Sequence, residues 1–261
     1  MNGLKGSGAQ VRPELSALVV VHNEAGQLAD CLDRLTFADE IVVVLDKCTD
    51  ASAEIAARYT DRLVEGSFDR EGERRNTGID ACTGPWILEV DADERVPDAL
   101  AREIRETIAD SDADRHLILV DNYIGGRLVR RGWGGSFGKP AYPGLFRKET
   151  KHWGKERVHP SLTFSGREGE RLAVPLEHYV DDSISDMIRR LDRYSTLRGR
   201  DIREKGNAGS YANDVRRIFS RFLKCYLRRG WWREGGYGFL IALFAGLYPI
   251  LSHLKADLED D

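Results

Sequence analysis

The stretch Gly72–Val96, GERRNTGIDACTGPWILEVDADERV, decides the fold. Within it, Trp86–Val90 is a short apolar run of the kind that forms a strand covered on both faces. Three acidic residues follow this run directly: Asp91, Asp93 and Glu94. In open α/β sheets, ligands bind beyond the carboxyl ends of the strands. The sequence therefore predicts a binding site immediately after Val90.

Similar patterns extend in both directions from this stretch. Apolar runs predict further strands over Leu15–Val21, Glu40–Leu45 and His116–Val120. Apolar residues at helical spacing, and a proline suited to a first helical turn, predict helices over Glu24–Leu35, Ser52–Tyr59 and Pro97–Ala109. This alternation predicts an α/β fold with a mostly parallel sheet and helices on both of its faces.

Polar residues stand at the ends of the first three predicted strands. They are His22-Asn23-Glu24, Asp46 and Asp50, and Asp91-Ala92-Asp93-Glu94. Each acid alone could cap or favour the following helix. Together, clustered carboxylates repel one another unless a cation or a ligand compensates them. Asp91 and Asp93 are expected to project the same way and to hold one Mg²⁺ or Mn²⁺ ion, which would neutralise a departing diphosphate.

Several common signatures are absent from the sequence. There is no GxxxxGKS/T motif, which excludes P-loop chemistry, and no GxSxG elbow of a hydrolase. Gly132–Gly138 fails the GxGxxG pattern because Phe137 occupies the final glycine position, so no Rossmann site is expected. The four cysteines form no CxxC or zinc spacing and are expected to be reduced in the cytosol.

Charge is distributed unevenly along the chain. The 261 residues carry 39 Lys and Arg against 43 Asp and Glu, a net charge of −4, and 41% are hydrophobic. That apolar content excludes a disordered chain, and near-neutrality disfavours a dedicated nucleic-acid binder. Between Asp186 and Arg233, however, 14 Lys and Arg stand against 5 Asp and Glu. The C-terminal part is therefore a basic arm on an acidic body.

An uncharged run, Gly238–Leu254, follows the basic arm. It is shorter than the 18 or more residues of a spanning helix, and Pro249 interrupts it. Two interpretations stay open: a helix packed on the catalytic domain, or an interfacial helix. The second is favoured by Trp231, Trp232 and Tyr237 at its start, and by a basic arm that would attract anionic lipid.

Three motifs, in order, resemble the family 2 glycosyltransferases, inverting enzymes of the GT-A fold that use nucleotide-diphospho-sugars. They are VVVHNEAGQLADCLDRL (19–35), EIVVVLDKCTDASAEIA (40–56) and the stretch at Gly72–Val96. The later pieces GLFRK (144–148), RVHPSL (157–162), PLEHY (175–179) and RRLDRYSTL (189–197) are similar to the lipopolysaccharide core branch of that family. The resemblance covers nearly the whole chain and implies a GT-A sheet with a C-terminal helical extension.

The resemblance also implies a division of the chain. Residues 1–13 are expected to form a flexible N-terminus, and 14–182 a GT-A catalytic domain. Within that domain, 14–110 would be the nucleotide-binding half and 111–182 the acceptor and metal half. Residues 183–261 would form a basic helical region whose apolar segment, 238–254, is a candidate for membrane association. Oligomeric state is not assigned.

Roles for individual residues follow from the same resemblance. It implies that Asn23 and Glu24 line the nucleotide pocket, that Asp46 contacts the base or ribose, and that Arg75 and Asn76 lie near the diphosphate. UDP-sugar is the expected donor. Leu45 stands where many relatives carry a second acid, which leaves the choice of base open.

The resemblance further implies the metal ligands and a catalytic base. Asp93 would be the principal metal ligand, Asp91 would contact the nucleotide or the metal, and His178 would complete the metal shell. An acid that many close relatives carry after a histidine is replaced here by Pro160, following Val158-His159. Glu156 is the nearest substitute as the base that removes the acceptor's proton, with Asp181 and Glu94 as alternatives.

The predicted function is transfer of a sugar from a nucleotide-diphospho-sugar to a glycolipid or saccharide acceptor of the lipopolysaccharide-core type. We expect a cytoplasmic enzyme, peripheral to the inner face of the membrane, with Mg²⁺ or Mn²⁺ and no nucleic-acid partner. Two alternatives remain: a polyprenyl-phosphate glycosyltransferase, and a catalytically silent nucleotide-sugar-binding scaffold. A nucleotidyltransferase or a methyltransferase would each need a glycine-rich first loop, which His22-Asn23-Glu24-Ala25 does not provide.

Overall fold

The computed structural model describes residues 14–131, 138–155, 160–206 and 209–259. The predicted N-terminal segment 1–13 lies outside these residues, as do the candidate base Glu156 and the neighbouring His159.

A large mixed sheet forms the centre of the described chain. Its strands, in chain order, are β1 (Leu15–Val21), β2 (Glu40–Asp46), β3 (Leu63–Gly66), β4 (Trp86–Asp91), β5 (Glu94–Arg95), β6 (Arg115–Ile124), β7 (Arg127–Val129), β8 (Ala141–Arg147) and β11 (Leu176–Asp181). Two further strands, β9 (Lys151–Trp153) and β10 (Leu162–Phe164), form a separate hairpin. The strand order is β3-β2-β1-β4-β8-β6-β11-β5, with β7 paired to β6. Strands β3, β2, β1 and β4 are parallel; the sequence predicts β1, β2 and β4 but not β3.

Helices cover the sheet and form the C-terminal region. They are α1 (Ala25–Asp33), α2 (Ser52–Ala56), α3 (Glu71–Ala81), α4 (Asp98–Asp110), α5 (Ile184–Glu204), α6 (Tyr211–Leu223) and α7 (Gly235–Leu258). A π-helical turn, Lys224–Arg228, continues α6, and a 3₁₀ turn, Trp231–Glu234, precedes α7. The predicted helix over Ser52–Tyr59 is only one turn long in the structure.

The sequence of β1 is almost wholly apolar because this strand is buried on both of its faces. Its odd-numbered residues pack with apolar side chains of α1 and α4 on one face of the sheet. Its even-numbered residues Leu18 and Val20 pack with Ile79 of α3 on the other face. A strand covered on both sides has a continuous apolar sequence because successive side chains alternate between two buried layers.

The second half of the sheet differs from the prediction. The fourth predicted strand is β6, but it does not lie beside β4, because β8 is inserted between them and runs antiparallel to both. The stretch 125–144, rich in Gly, Arg and aromatic residues without a sustained period, predicts a long loop or a small irregular subdomain; its described residues include β7 and the start of β8. Pro143 and Gly144 conceal β8 in the sequence, since proline argues against a central strand. Both stand where the β6–β8 register shifts, so neither needs a ladder hydrogen bond.

Helix α7 is the central element of the C-terminal region. Ile241, Phe244 and Tyr248 of α7 are buried in a cluster with side chains of α5 and the π turn. Glycines permit the close crossings: a Cβ atom on Gly246 would lie 2.6 Å from the carbonyl oxygen of Ile218 in α6, and one on Gly199 of α5 would lie 3.2 Å from that of Ser252.

By length and apolarity alone, Trp231–Leu258 could cross a membrane, and it is the one such helix among the described residues. Half of its most apolar window is buried inside the protein, as in the core helix of a soluble protein. The predicted interfacial segment 238–254 therefore has a packing role in this fold. Its membrane association stays a prediction.

Gly72, in the first turn of α3, holds that helix against the β9–β10 hairpin. A Cβ atom there would lie 1.8 Å from the carbonyl oxygen of Gly154. We predict that Gly72→Ala lowers the free energy of unfolding by about 1–3 kcal/mol, because a backbone contact of this kind cannot be relieved by a rotamer change. Urea denaturation measures the effect.

The matched control is Gly26→Ala in α1, where no atom lies within 4 Å of the added methyl group. Removing a glycine from a helix without a clash is expected to stabilise the protein by up to about 1 kcal/mol. Equal unfolding free energies for the two variants would contradict the proposed contact.

Candidate nucleotide and metal site

A cavity of about 1190 Å³ opens at the carboxyl ends of β1, β2 and β4. Six of the predicted site residues line it: Glu24, Asp46, Arg75, Asp91, Asp93 and His178. The wall opposite these strand ends includes Arg190, Arg193, Arg200 and Arg203 of α5. The structure thus brings strand-end acids and a row of arginines to the same cavity.

Glu89 is a buried carboxylate in the middle of the apolar strand β4. Its side chain is 2% exposed and accepts hydrogen bonds of 2.6 Å from both Arg75 Nη1 and Lys151 Nζ. Trp153 Nε1 donates a third, longer bond of 3.3 Å. Burial alone would raise the pKa of Glu89, but the charges of Lys151 and Arg75 hold it below its usual value. Glu89 is therefore ionised beneath the floor of the cavity.

Arg75 joins this buried charge to the cavity. Its Nη2 atom donates to Asp91 Oδ1 at 2.8 Å and its Nε atom to Glu71 Oε1 at 3.0 Å, in addition to the bond to Glu89. All three nitrogens of the guanidinium group therefore bind carboxylates. The sequence placed Arg75 beside the diphosphate; in the structure its direct partners are acids.

Asp91 is held from a second side by Lys139. Lys139 Nζ lies 3.4 Å from Asp91 Oδ2 and 2.7 Å from Glu94 Oε1. Burial would raise the pKa of Asp91, but Arg75 and Lys139 keep it well below its ordinary value. Burial raises the pKa of Glu94 against the opposing charge of Lys139. Both oxygens of Asp91 thus face cations of the protein itself.

Asp93 lies in the turn after β4 and has a different environment. Its Oδ2 atom is 3.2 Å from His178 Nε2, whereas its Oδ1 atom is buried and has no hydrogen-bond partner among the described residues. Asn122 accepts from His178 Nδ1 at 3.0 Å, and the amide orientation is set by donation from Asn122 Nδ2 to the Lys139 carbonyl. In neutral His178 the lone pair is therefore on Nε2, on the side of Asp93.

The predicted three-ligand set is not assembled in the structure. Among the described residues, no group of three or more His, Cys, Asp or Glu side chains is arranged to hold a metal ion. Mg²⁺, however, is commonly bound by one or two carboxylates and completed by water and phosphate oxygens. The open oxygen of Asp93 and the Nε2 atom of His178 fit such a partial shell, while Asp91 is engaged by Arg75 and Lys139.

Asp46 and its neighbours shape the far end of the cavity. Asp46 Oδ1 accepts from the main-chain N–H of Phe68 at 2.9 Å, and Oδ2 lies 3.3 Å from Arg74 Nη1. The main-chain oxygen of Asp46 is 2.6 Å from His22 Nδ1. Asp46 is only 7% exposed, so it fixes the segment that follows β3 against the end of β2.

Asn23 and Asn76 support the cavity from behind its wall. Asn23 adopts a left-handed conformation with φ 58°, which asparagine tolerates, and its Oδ1 atom accepts from the N–H groups of Thr49 and Asp50. Asn76 pairs with Trp153 twice: it accepts from the Trp153 N–H at 3.0 Å and donates to the Trp153 carbonyl at 2.9 Å. Both amides hold together the segments that carry lining residues.

The arginines on α5 have different partners. Arg190 binds Asp181 at 2.6 Å, and Arg203 donates to main-chain carbonyls at the end of α7. Arg193 lies over the ring of Tyr194, with its guanidinium carbon 5.3 Å from the ring centroid. Burial and Asp93 raise the pKa of Glu24, and Arg193 opposes this rise. Arg193 is therefore a cation close to the strand-end acids.

The candidate bases are in different positions. Glu156 lies outside the described residues, although Trp153 and Pro160 on either side of that gap line the cavity. Asp181 is buried and bound to Arg190; burial raises its pKa to about 6. Glu94 has no exposed surface and lies behind Asp91 and Lys139. Neither Asp181 nor Glu94 is a lining residue.

Sequence reasoning did not identify Glu89, Lys139, Lys151 or Arg193 as parts of the site. An acid inside the apolar run WILEV was a visible signal, because a charge in a doubly covered strand must be paired. The two lysines gave no such signal. They reach the site through the antiparallel strand β8 and the hairpin, neither of which the sequence pattern revealed.

Comparison with known proteins gives consistent matches. The sequence model of a family described as "Glycosyl transferase family 2" matches residues 16–161. The lipopolysaccharide core biosynthesis glycosyltransferase LpsC of Rhizobium meliloti is 26% identical over 92% of this chain and 91% of its own length. An uncharacterized glycosyltransferase of Rickettsia felis is 23% identical, covering 87% and 83%.

One solved structure is also similar over most of its length. It is the mannosyltransferase PcManGT of Pyrobaculum calidifontis, determined in complex with GDP-Man and Mn²⁺. It covers 97% of this chain and 89% of its own, with a TM-score of 0.53 and 16% identity. At that identity the likeness concerns the fold alone.

The buried Glu89 cluster predicts a large cost for removing one partner. We expect Glu89→Leu to lower the free energy of unfolding by about 3–5 kcal/mol, because Lys151 and Arg75 would keep buried charges without compensation. Urea denaturation monitored by tryptophan fluorescence measures this change.

The control is the double variant Glu89→Leu with Lys151→Met, in which Arg75 still binds Asp91 and Glu71. It should recover part of the lost stability, since an apolar pair of similar volume avoids the desolvation cost. If the free energy of unfolding of Glu89→Leu lay within about 1 kcal/mol of the wild-type value, the stability of the cluster would not depend on the charge of Glu89.

Proposed function

The chain belongs to glycosyltransferase family 2 and has the GT-A fold, and we propose that it transfers a sugar from a nucleotide-diphospho-sugar, with inversion, to a saccharide of the lipopolysaccharide-core type. One observation carries the proposal. The buried Oδ1 atom of Asp93, which has no hydrogen-bond partner among the described residues, stands beside His178 in a cavity at the ends of three parallel strands. The 26% identity to LpsC over almost the full length supports the acceptor class.

We assign the two strand-end acids different tasks. Asp93, with His178, would hold Mg²⁺ or Mn²⁺. When bound there, the ion supplies a Lewis acid for the diphosphate leaving group. Asp91 would act indirectly, because Arg75 and Lys139 already compensate its charge and fix its carboxylate. Asp91 thus orients the turn that carries Asp93.

We assign donor binding to the half of the site formed by residues 14–110. Asp46 and the Phe68 segment that it fixes would receive the base and ribose, with UDP-sugar as the expected donor. Glu24 would lie beside the sugar diphosphate, and Asn23 and Asn76 would keep the pocket walls in place. Arg193 would contribute positive charge from α5 to the diphosphate.

The acceptor would enter from the half formed by residues 111–182. Its hydroxyl group would attack the anomeric carbon while a carboxylate removes the proton. Glu156 stays our candidate for this base, since Asp181 and Glu94 are engaged away from the cavity. An acceptor carried on a lipid would place the enzyme in the cytoplasm at the inner face of the membrane, with the helical region 183–261 on that side.

Asp93→Asn tests the metal assignment. We expect turnover of the nucleotide-sugar to fall on the order of a hundredfold or more, because a neutral amide cannot replace a charged ligand at the developing diphosphate. The stabilisation of the protein by Mn²⁺ together with a nucleoside diphosphate, read as a shift in Tm, should also disappear.

Asp98→Asn is the matched control, since the same change at an aspartate that is 84% exposed on α4 should leave both readouts unchanged. The donor is chosen from a panel of nucleotide-diphospho-sugars by the Tm shift of the wild-type protein. If the wild type turned over no donor in the presence of Mn²⁺ and a core-type acceptor, a catalytically silent scaffold would replace the proposal. Unchanged turnover in Asp93→Asn would refute the metal role.

Arg193→Ala tests the contribution of α5 to donor binding. Losing one charge-assisted bond to phosphate should raise the KM for the nucleotide-sugar about tenfold. Arg198→Ala, on the same helix but outside the cavity lining, should leave KM unchanged. If the two variants behaved alike, the row of arginines would have no specific part in binding the donor.

A further inference from the structure

A group of exposed apolar side chains lies on α6 and on the turns and helix that follow it. Its members are exposed by about half or more: Phe219 68%, Leu223 51%, Leu227 57%, Trp232 51% and Phe239 45%. Phe219, Leu223 and Leu227 are spaced four residues apart, so they line one side of α6 and its π turn. We call these five residues the outer α6 surface.

These side chains are exposed even though α6 and its π turn already pack on α7. The adjoining side of the helix packs on α7 through Phe222, Tyr226 and Cys225. Phe222 stacks on Tyr226 at 5.3 Å between centroids, and Phe239 contacts both rings edge-on at 5.6 and 6.0 Å. Aromatic side chains thus connect the core of the helical region to the outer α6 surface.

The charges around the outer α6 surface have one sign. Residues 211–239 contain seven basic side chains, all of them exposed: Arg216, Arg217, Arg221, Lys224, Arg228, Arg229 and Arg233. The two acids of this stretch, Asp214 and Glu234, are 5% and 8% exposed. The described surface here therefore combines large apolar side chains with positive charge alone.

Both acids are used inside the protein. Asp214 lies 3.0 Å from His253 Nδ1 of α7 and 2.9 Å from Arg217. Glu234 Oε1 accepts from the main-chain N–H groups of Arg130 and Arg131, directly after β7. The first contact fixes the rotation of α6 on α7, and the second ties the helical region to the sheet that carries Asn122. The outer α6 surface is thus held at a set orientation to the cavity.

We propose that the outer α6 surface docks on an anionic phospholipid bilayer. Aromatic and leucine side chains that enter the boundary between head groups and acyl chains, surrounded by Arg and Lys that meet anionic head groups, are the recognition elements of such a surface. A second copy of the chain is disfavoured as the occupant, because two surfaces of the same positive charge repel one another. The leucines are not suited to stacking on nucleic-acid bases.

This inference rests on the proposed function only for the location of the acceptor: a lipid-linked saccharide would reach the cavity of a protein already bound to the membrane. Of the apolar run that the sequence put forward for this task, 238–254, Phe239 belongs to the outer α6 surface, and α6 with the turns after it supplies the other four side chains. Docking of this kind is peripheral and needs no helix that crosses the bilayer.

The experiment is sedimentation of the full chain with vesicles. We expect binding to vesicles of phosphatidylcholine and phosphatidylglycerol in equal amounts, and little binding to phosphatidylcholine alone. Binding should weaken in high salt, because the cations are exposed. Leu223→Glu with Leu227→Glu should abolish it, and Lys224→Gln should lower the partition coefficient about fivefold.

Leu258→Glu is the matched control: this leucine is 76% exposed but stands among acidic residues at the end of α7, so the variant should bind as the wild type does. Equal binding to both vesicle types, or wild-type binding by Leu223→Glu with Leu227→Glu, would overturn the proposal. The proposal would also be overturned if the double variant kept vesicle binding but lost a monomer–dimer equilibrium or an affinity for RNA that the wild type shows.

Two further measurements separate this proposal from the proposed function. Asp93→Asn should bind vesicles normally although it has lost turnover, and Leu223→Glu with Leu227→Glu should retain turnover of a soluble acceptor. Loss of both properties in the double variant, with a lowered Tm, would signal misfolding; Arg221→Gln with Arg228→Gln then tests the same surface through exposed charges alone. Membrane-bound protein that a high-salt, alkaline wash cannot release would instead mean insertion and overturn the proposal.

Discussion

The carboxylate of Glu89 constrains the rest of the site because it is charged and almost wholly buried in the central strand β4. Such a group is tolerated only when cations and hydrogen-bond donors surround it. Arg75 from α3, Lys151 from β9 and Trp153 from the same hairpin supply them. One buried charge is therefore paired with groups from both α3 and the β9–β10 hairpin, and both elements contribute lining residues to the cavity.

The pairing of Glu89 also decides what the strand-end acids can do. Since Arg75 bridges Glu89 and Asp91, the charge of Asp91 is compensated before any ligand arrives, and Lys139 compensates it further. Asp93, two residues later in the turn, makes one side-chain ion pair within the described part of the chain, with His178. The two aspartates of the DxD motif are thus electrostatically unequal. Among the described residues, Asp93 Oδ1 is the oxygen of this pair that has no hydrogen-bond partner.

Much of the fold follows from local sequence patterns, and the reasons for the failures are physical. Strands β1, β2 and β4 are predicted to within one residue, because a doubly covered strand leaves a continuous apolar run. Strand β8 is hidden by Pro143 and Gly144, which the structure accommodates at a shift in register. The cluster of acids at the strand ends is also predictable, because parallel strands bring their carboxyl ends to one edge. The pairing of particular cations with particular carboxylates is not predictable from the sequence, because long-range antiparallel strand pairing brings Lys139 and Lys151 to the site.

The apolar character of α7 has its explanation in the same long-range packing. A helix that is apolar on nearly all sides needs extensive cover; α7 packs on α5 and α6, with Gly199 and Gly246 allowing both crossings, and half of its most apolar window is buried. Arg203 binds the carbonyl groups at the end of α7, which fixes the C-terminal end of α5 there, while Arg193 and Arg200 reach the cavity. The core position of α7 leaves its covering helix α6 as the element that faces outward. Apolar content along the sequence therefore marks the centre of the helical region, and the exposed apolar side chains that remain lie one layer further out.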